Sequence, residues 1–169
     1  MRTITRTAAA LAVTAGLALA PAGVANAASA ATAPPAAPTA CAPENVRATV
    51  RPGVSTGEFS SYTVRLVADE GTAPCRVNGW PHLVAASLAG VPQELPYAGP
   101  ADGAASPVDF GPDTPVQFDV RVEGPALVPA DTVEFTASEA LEPIPGRFVA
   151  TGRIGIGERM GVTSFYPAP

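Results

Sequence analysis

Between turn signals, apolar and polar residues alternate along this chain with a period of two. Val46, Ala48 and Val50 alternate with Arg47, Thr49 and Arg51, and Tyr62, Val64 and Leu66 alternate with Thr63 and Arg65. The clearest run is Val116-Gln117-Phe118-Asp119-Val120-Arg121-Val122-Glu123, in which each apolar residue is separated from the next by a polar one. Val133 and Phe135 repeat the pattern, Cys75-Arg76-Val77 leads through Trp80 into an apolar run over 82–88, and apolar stretches over 148–156 and 160–166 follow. Successive side chains of a strand point to opposite faces, so these segments predict strands with one face in a core and the other in solvent. Gly111-Pro112-Asp113, Gly124-Pro125 and Pro143-Ile144-Pro145-Gly146 read as the loops between them. Ser138-Glu139-Ala140-Leu141 is compatible with a single helical turn. About seven short strands separated by turns predict an all-β antiparallel sandwich.

Composition narrows the class. The 169 residues include 20 Pro and 16 Gly, which excludes long helices and leaves room for one domain. None of the ten basic side chains is Lys, the formal net charge is −5, and no basic cluster runs along the sequence, so no nucleic-acid partner is expected. Arg2 and Arg6, the apolar stretch 8–20 and Ala25-Asn26-Ala27 have the layout of a secretory signal peptide cleaved after residue 27. That stretch is shorter than the roughly 20 residues a spanning helix needs, so a secreted protein without a membrane span is expected after cleavage. Residues 28–40, ASAATAPPAAPTA, carry no charge and no aromatic ring and predict a disordered Ala/Pro-rich linker. The folded domain is then 41–169. Cleavage removes two Arg, so the mature charge becomes −7, with eight Arg against fifteen acids.

Cys41 and Cys75 are the only cysteines, and an even count in an exported chain predicts one disulfide between them. Two cysteines and the single His82 are too few ligands for a structural zinc, and no metal or cofactor is expected. His82 lacks the partners of a nucleophilic triad, and neither a G-x-S-x-G elbow nor an H-E-x-x-H pair occurs. No catalytic residue is therefore assigned. Asp69 and Glu70 read as turn solvation, and Asp109 and Asp113 flank Gly111-Pro112 in the manner of a type I turn, with a weak Ca²⁺ site as the alternative. Gly155-Ile156-Gly157 is not followed by a helix, so it is not a dinucleotide loop. Trp80 is expected in the core near the disulfide rather than as a sugar platform. Tyr97, in the Pro- and Gly-rich loop 92–107, is the candidate contact residue.

Cys41, the strand ending at Leu66-Val67-Ala68, then Gly71, Pro74-Cys75, Gly79-Trp80-Pro81 and a hairpin at Gly90 together resemble the DUF4232-type domain of unknown function found in secreted actinobacterial proteins. Val108-Asp109-Phe110-Gly111-Pro112 before an alternating strand is similar to it as well, so the resemblance spans most of 41–166. It implies an immunoglobulin-like β-sandwich and brings no catalytic residues with it. The expected function is a monomeric, non-catalytic module of the envelope or medium that binds a protein or a cell-wall polymer through loops at one end. The alternatives are a small exported hydrolase using a carboxylate pair, and a protease inhibitor presenting the 92–107 loop.

Overall fold

The computed structural model describes residues 36–126, 128–139 and 142–169. The expected signal peptide and most of the linker, along with Leu127, Ala140 and Leu141, lie outside the described residues. The described residues form an all-β fold whose one helical element is a short 3-10 turn, Pro43–Asn45. The strands are β1 (Val46–Ser55), β2 (Phe59–Ala68), β3 (Cys75–Leu88), β4 (Val91–Gln93), β5 (Ala98–Pro100), β6 (Val108–Phe110), β7 (Val116–Glu123), β8 (Val128–Glu139), β9 (Glu142–Pro143), β10 (Phe148–Ile156), β11 (Arg159–Val162) and β12 (Tyr166–Pro167).

The strands pair in the order β4-β3-β8-β10-β1-β2-β7-β11-β5 along one continuous hydrogen-bonded path. β8 and β7 stand four places apart in that order, yet Phe135 of β8 and Phe118 of β7 meet edge to face at 5.0 Å. The sheet therefore curls until its two halves pack face to face, which is how a sandwich core is enclosed without a break in the ladder. Val64 and Leu66 of β2 and Val116, Phe118, Val120 and Val122 of β7 line one inner face. Val133 and Phe135 of β8 and Phe148, Ala150 and Ile154 of β10 line the other. The named strands pair antiparallel except where β1 runs parallel to β10 and β5 parallel to β11, and a parallel bridge joins Thr39 to Ala73.

Local details add to the expected picture. Residues 138–139 continue β8 and pair with β9, Ser138 with Pro143 and Glu139 with Glu142, in place of a helical turn there; extending the strand gives their backbone groups ladder partners. Pro38 and Ala40, placed by the sequence in the linker, are tied to the domain: the Ala73 N–H donates to the Pro38 carbonyl at 2.7 Å and the Ala40 N–H to the Ala73 carbonyl at 2.9 Å. Gly152 in β10 adopts φ +141°, and a Cβ there would come within 2.4 Å of the Val50 carbonyl oxygen, so only glycine allows β1 to approach this closely. The expected Cys41–Cys75 bridge is present and joins the start of the domain to β3.

Candidate binding surfaces

The segment 92–107, read from sequence as one long loop, is held at both ends. At its start, β4 closes a hairpin on β3 through Ala86 opposite Gln93 and Leu88 opposite Val91. The turn uses Ala89 at φ 50° and Gly90 at φ 80°, the paired left-handed conformations of a tight hairpin, and the Asp131 carboxylate accepts from the Ala89 N–H at 2.8 Å. Further along, β5 lies parallel to β11, and the Ala101 N–H donates to the Val162 carbonyl at 2.7 Å. Asp102 then fixes the segment to the body. Its carboxylate accepts from the Trp80 indole N–H and from Ser164, whose backbone N–H and hydroxyl reach Oδ2 at 2.9 and 2.8 Å.

Asp102 was not singled out in the sequence, and its contact refines the picture of Trp80. Trp80 packs against the core but is only half-buried, because its indole N–H turns toward Asp102. A tryptophan with its ring against apolar groups and its N–H on a polar partner satisfies both halves of its chemistry. Burial of Asp102 opposes its ionisation, but hydrogen bonds from Trp80 and Ser164 outweigh it and hold the carboxyl below its ordinary 3.8. A depressed native pKa means that the ionised carboxylate stabilises the fold fully above about pH 4 and loses that contribution as the pH falls through the lower native value. Trp80 is the only tryptophan, so emission from this site should shift on acidification below pH 3.8. Asp102→Ala should show the shifted emission already at neutral pH and no further change. Identical emission in the two proteins at neutral pH would remove Asp102 from this role.

Tyr97 stands between the two anchored parts with 81% of its surface exposed. Val91 is 61% exposed, and Leu88 and Val128 are also open to solvent. Pro96, Val128, Ile156 and Gly157, flanked by Glu94 and Glu158, line a shallow groove of about 280 Å³ at this end of the sandwich. Gly155 and Gly157 serve close packing here: Cβ atoms would lie 2.3 Å from Ala126 Cβ and 2.5 Å from Val122 Cγ1 respectively.

The other candidates are dispersed. His82 is exposed on β3. Asp109 accepts from Arg76 Nε at 2.9 Å, and no group of three or more metal-ligating side chains forms among the described residues. A groove of about 900 Å³ lies beside the disulfide between the Pro43 turn and Ile144-Pro145, with Glu44, Glu139 and Glu142 on its rim. All three carboxylates are exposed, whereas an acid and base pair draws its division of labour from unlike, partly desolvated settings.

The outer face of β1 and β2 shows a feature that a linear reading of charge passes over. Arg47, Arg51 and Arg65, which form no cluster along the sequence, line one shallow groove with Thr49 and Val67. On the next strand, Asp119 is engaged by the hydroxyls of Thr63 at 2.7 Å and Tyr166 at 3.0 Å. Burial, and then the Asp119 charge, push the Tyr166 phenol up to about 12, so it remains a neutral donor to that carboxylate.

Comparison of the chain with protein-family models, with curated proteins and with solved structures found no match.

Proposed function

We propose that the chain is a non-catalytic, exported binding module that takes a protein partner at the sandwich end where Tyr97 stands. The observation that carries this reading is a solvent-exposed tyrosine on a segment fixed on both sides of it, by β4 on β3 and by β5 and Asp102 on the body. A braced loop has little ordering entropy left to lose on binding, and tyrosine brings a large, rigid contact area. Val128 lines a groove with Pro96, the neighbour of Tyr97, and is itself exposed. The signal-like residues 1–27 and the resemblance of 41–166 to DUF4232-type domains support export and belong to the same proposal.

The experiment compares retention of envelope and culture-medium proteins by the wild-type chain and by Tyr97→Ala. A discrete protein retained by the wild type should be lost at least about tenfold by the variant, the size of a contact hot spot, while the unfolding midpoint stays unchanged. Retention unaffected by the substitution would move the binding site elsewhere. The bracing also favours the inhibitor alternative, since hydrogen bonds here do what disulfides do in many inhibitory loops; a retained protease that the wild-type chain inhibits and Tyr97→Ala does not would select it.

A further inference from the structure

A strand-borne row of arginines lies on the outer face of β10, β1 and β2. Arg47 and Arg51 occupy alternate outward positions of β1, and Arg65 sits on β2 directly opposite Thr49, between them. Thr49 pairs in parallel with Thr151 of β10; Arg51 follows on β1, and Arg153 follows on β10 within the irregularity between Thr151 and Ile154, both exposed. Two residues along a strand span about 7 Å and neighbouring strands lie about 5 Å apart, so the charges form a zigzag row rather than a point cluster.

The chain as a whole is acidic, with fifteen side-chain carboxylates against ten arginines, yet this row is only partly neutralised. Among the described residues, Arg51 and Arg153 have no side-chain carboxylate within ion-pair distance, and Arg47 has only an exposed contact to Asp69 at 3.5 Å. Arg65 gives Nη2 to the Pro169 carbonyl at 3.1 Å, while its buried Nε has no acceptor among the described residues. Gathering like charges is unfavourable in the free protein, and an anion laid across them removes that cost.

The face also restricts the anion. Its groove, about 320 Å³ and shallow, is lined by Arg47, Thr49, Arg51, Arg65 and Val67. Guanidinium and hydroxyl groups donate to phosphate oxygens, and the guanidinium fork matches phosphate geometry. No aromatic side chain lines the groove to stack a base, as single-stranded nucleic acid requires, and Val67 alone is too small to anchor a protein contact. We propose that the β10-β1-β2 face binds a linear polyol-phosphate polymer, its successive phosphodiesters lying along the arginine row. This surface is separate from the Tyr97 end, and either assignment can fail without the other.

The test titrates the full chain with poly(glycerol phosphate) at several salt concentrations, alongside a single-stranded oligonucleotide and polyglutamate of equal charge. Three or four phosphate contacts should give a log–log salt slope of about −2 to −3. The double variant Arg51→Gln/Arg153→Gln should bind about tenfold more weakly and with a shallower slope, and Arg51→Gln alone should fall between. Both side chains are exposed, so circular dichroism and Trp80 emission should remain those of the wild type. Absence of salt-dependent binding, or affinity unchanged in the double variant, would overturn the proposal. Equal or tighter binding of the oligonucleotide would replace the polymer by a nucleic acid, and of polyglutamate by an acidic peptide.

Discussion

Phe118→Ala should lose about 3–5 kcal/mol of unfolding free energy, a large part of the 5–15 kcal/mol typical of a domain. Phe118 is fully buried on β7, and its ring meets Phe135 edge-on at 5.0 Å and Phe165 at 5.5 Å. Phe135 in turn stacks on Phe148 of β10 at 5.3 Å, so one ring links the inner faces of both halves of the curled sheet. Truncation removes the transfer free energy of the ring and leaves a cavity that β-strands locked in register cannot collapse into. Urea unfolding measures the loss. Val149→Ala, on the solvent face of β10 and 51% exposed, is the control and should stay within about 0.5 kcal/mol of the wild type. A loss below about 1 kcal/mol for Phe118→Ala would show that the two faces do not enclose a common core.

Removing the disulfide should have an effect of similar size by a different route. Cys41 and Cys75 are 34 residues apart, and closing a loop of that length in the unfolded chain corresponds to about 4 kcal/mol in the chain-entropy model. The double variant Cys41→Ala/Cys75→Ala should lower the urea midpoint accordingly. Because the Pro38 carbonyl and the Ala40 N–H pair with Ala73, next to the bridge, amide exchange should rise first at Ala40 and Ala73. An unchanged midpoint would mean that the bridge does not restrain the unfolded chain.

The strands were readable because the physics that forms them is local. In β7, alternation alone places Val116, Phe118, Val120 and Val122 inside and Gln117, Asp119 and Arg121 outside, and each of the four apolar residues is fully buried. The disulfide followed from the cysteine count together with the export expected from residues 1–27. What stayed hidden depends on pairing between distant strands. Nothing near Val46 or Phe148 announces that β1 and β10 run parallel, although Gly152, where a side chain would strike Val50, is its local trace. Asp102 is one of fifteen acids until the fold brings Trp80 and Ser164 to it. The arginine row was hidden by the same alternation that revealed the strands: Arg47, Arg51 and Arg65 are separated in sequence by inward-facing residues and by a turn, and meet only through the β1–β2 register. The loop 92–107 was legible as a loop but not as a braced one, because short edge strands such as β4 and β5 carry too few residues to show a period.

The central claim, that the braced end around Tyr97 is the binding surface, is tested most directly by a photoreactive amino acid placed at position 97 of the full chain in the culture of the cell that produces it. The same group at Val149, which is 51% exposed in the middle of β10 on its solvent face, serves as the comparison. The account predicts a discrete crosslinked protein from position 97 and none from position 149. No adduct at position 97, or the same adducts from both positions, would contradict it.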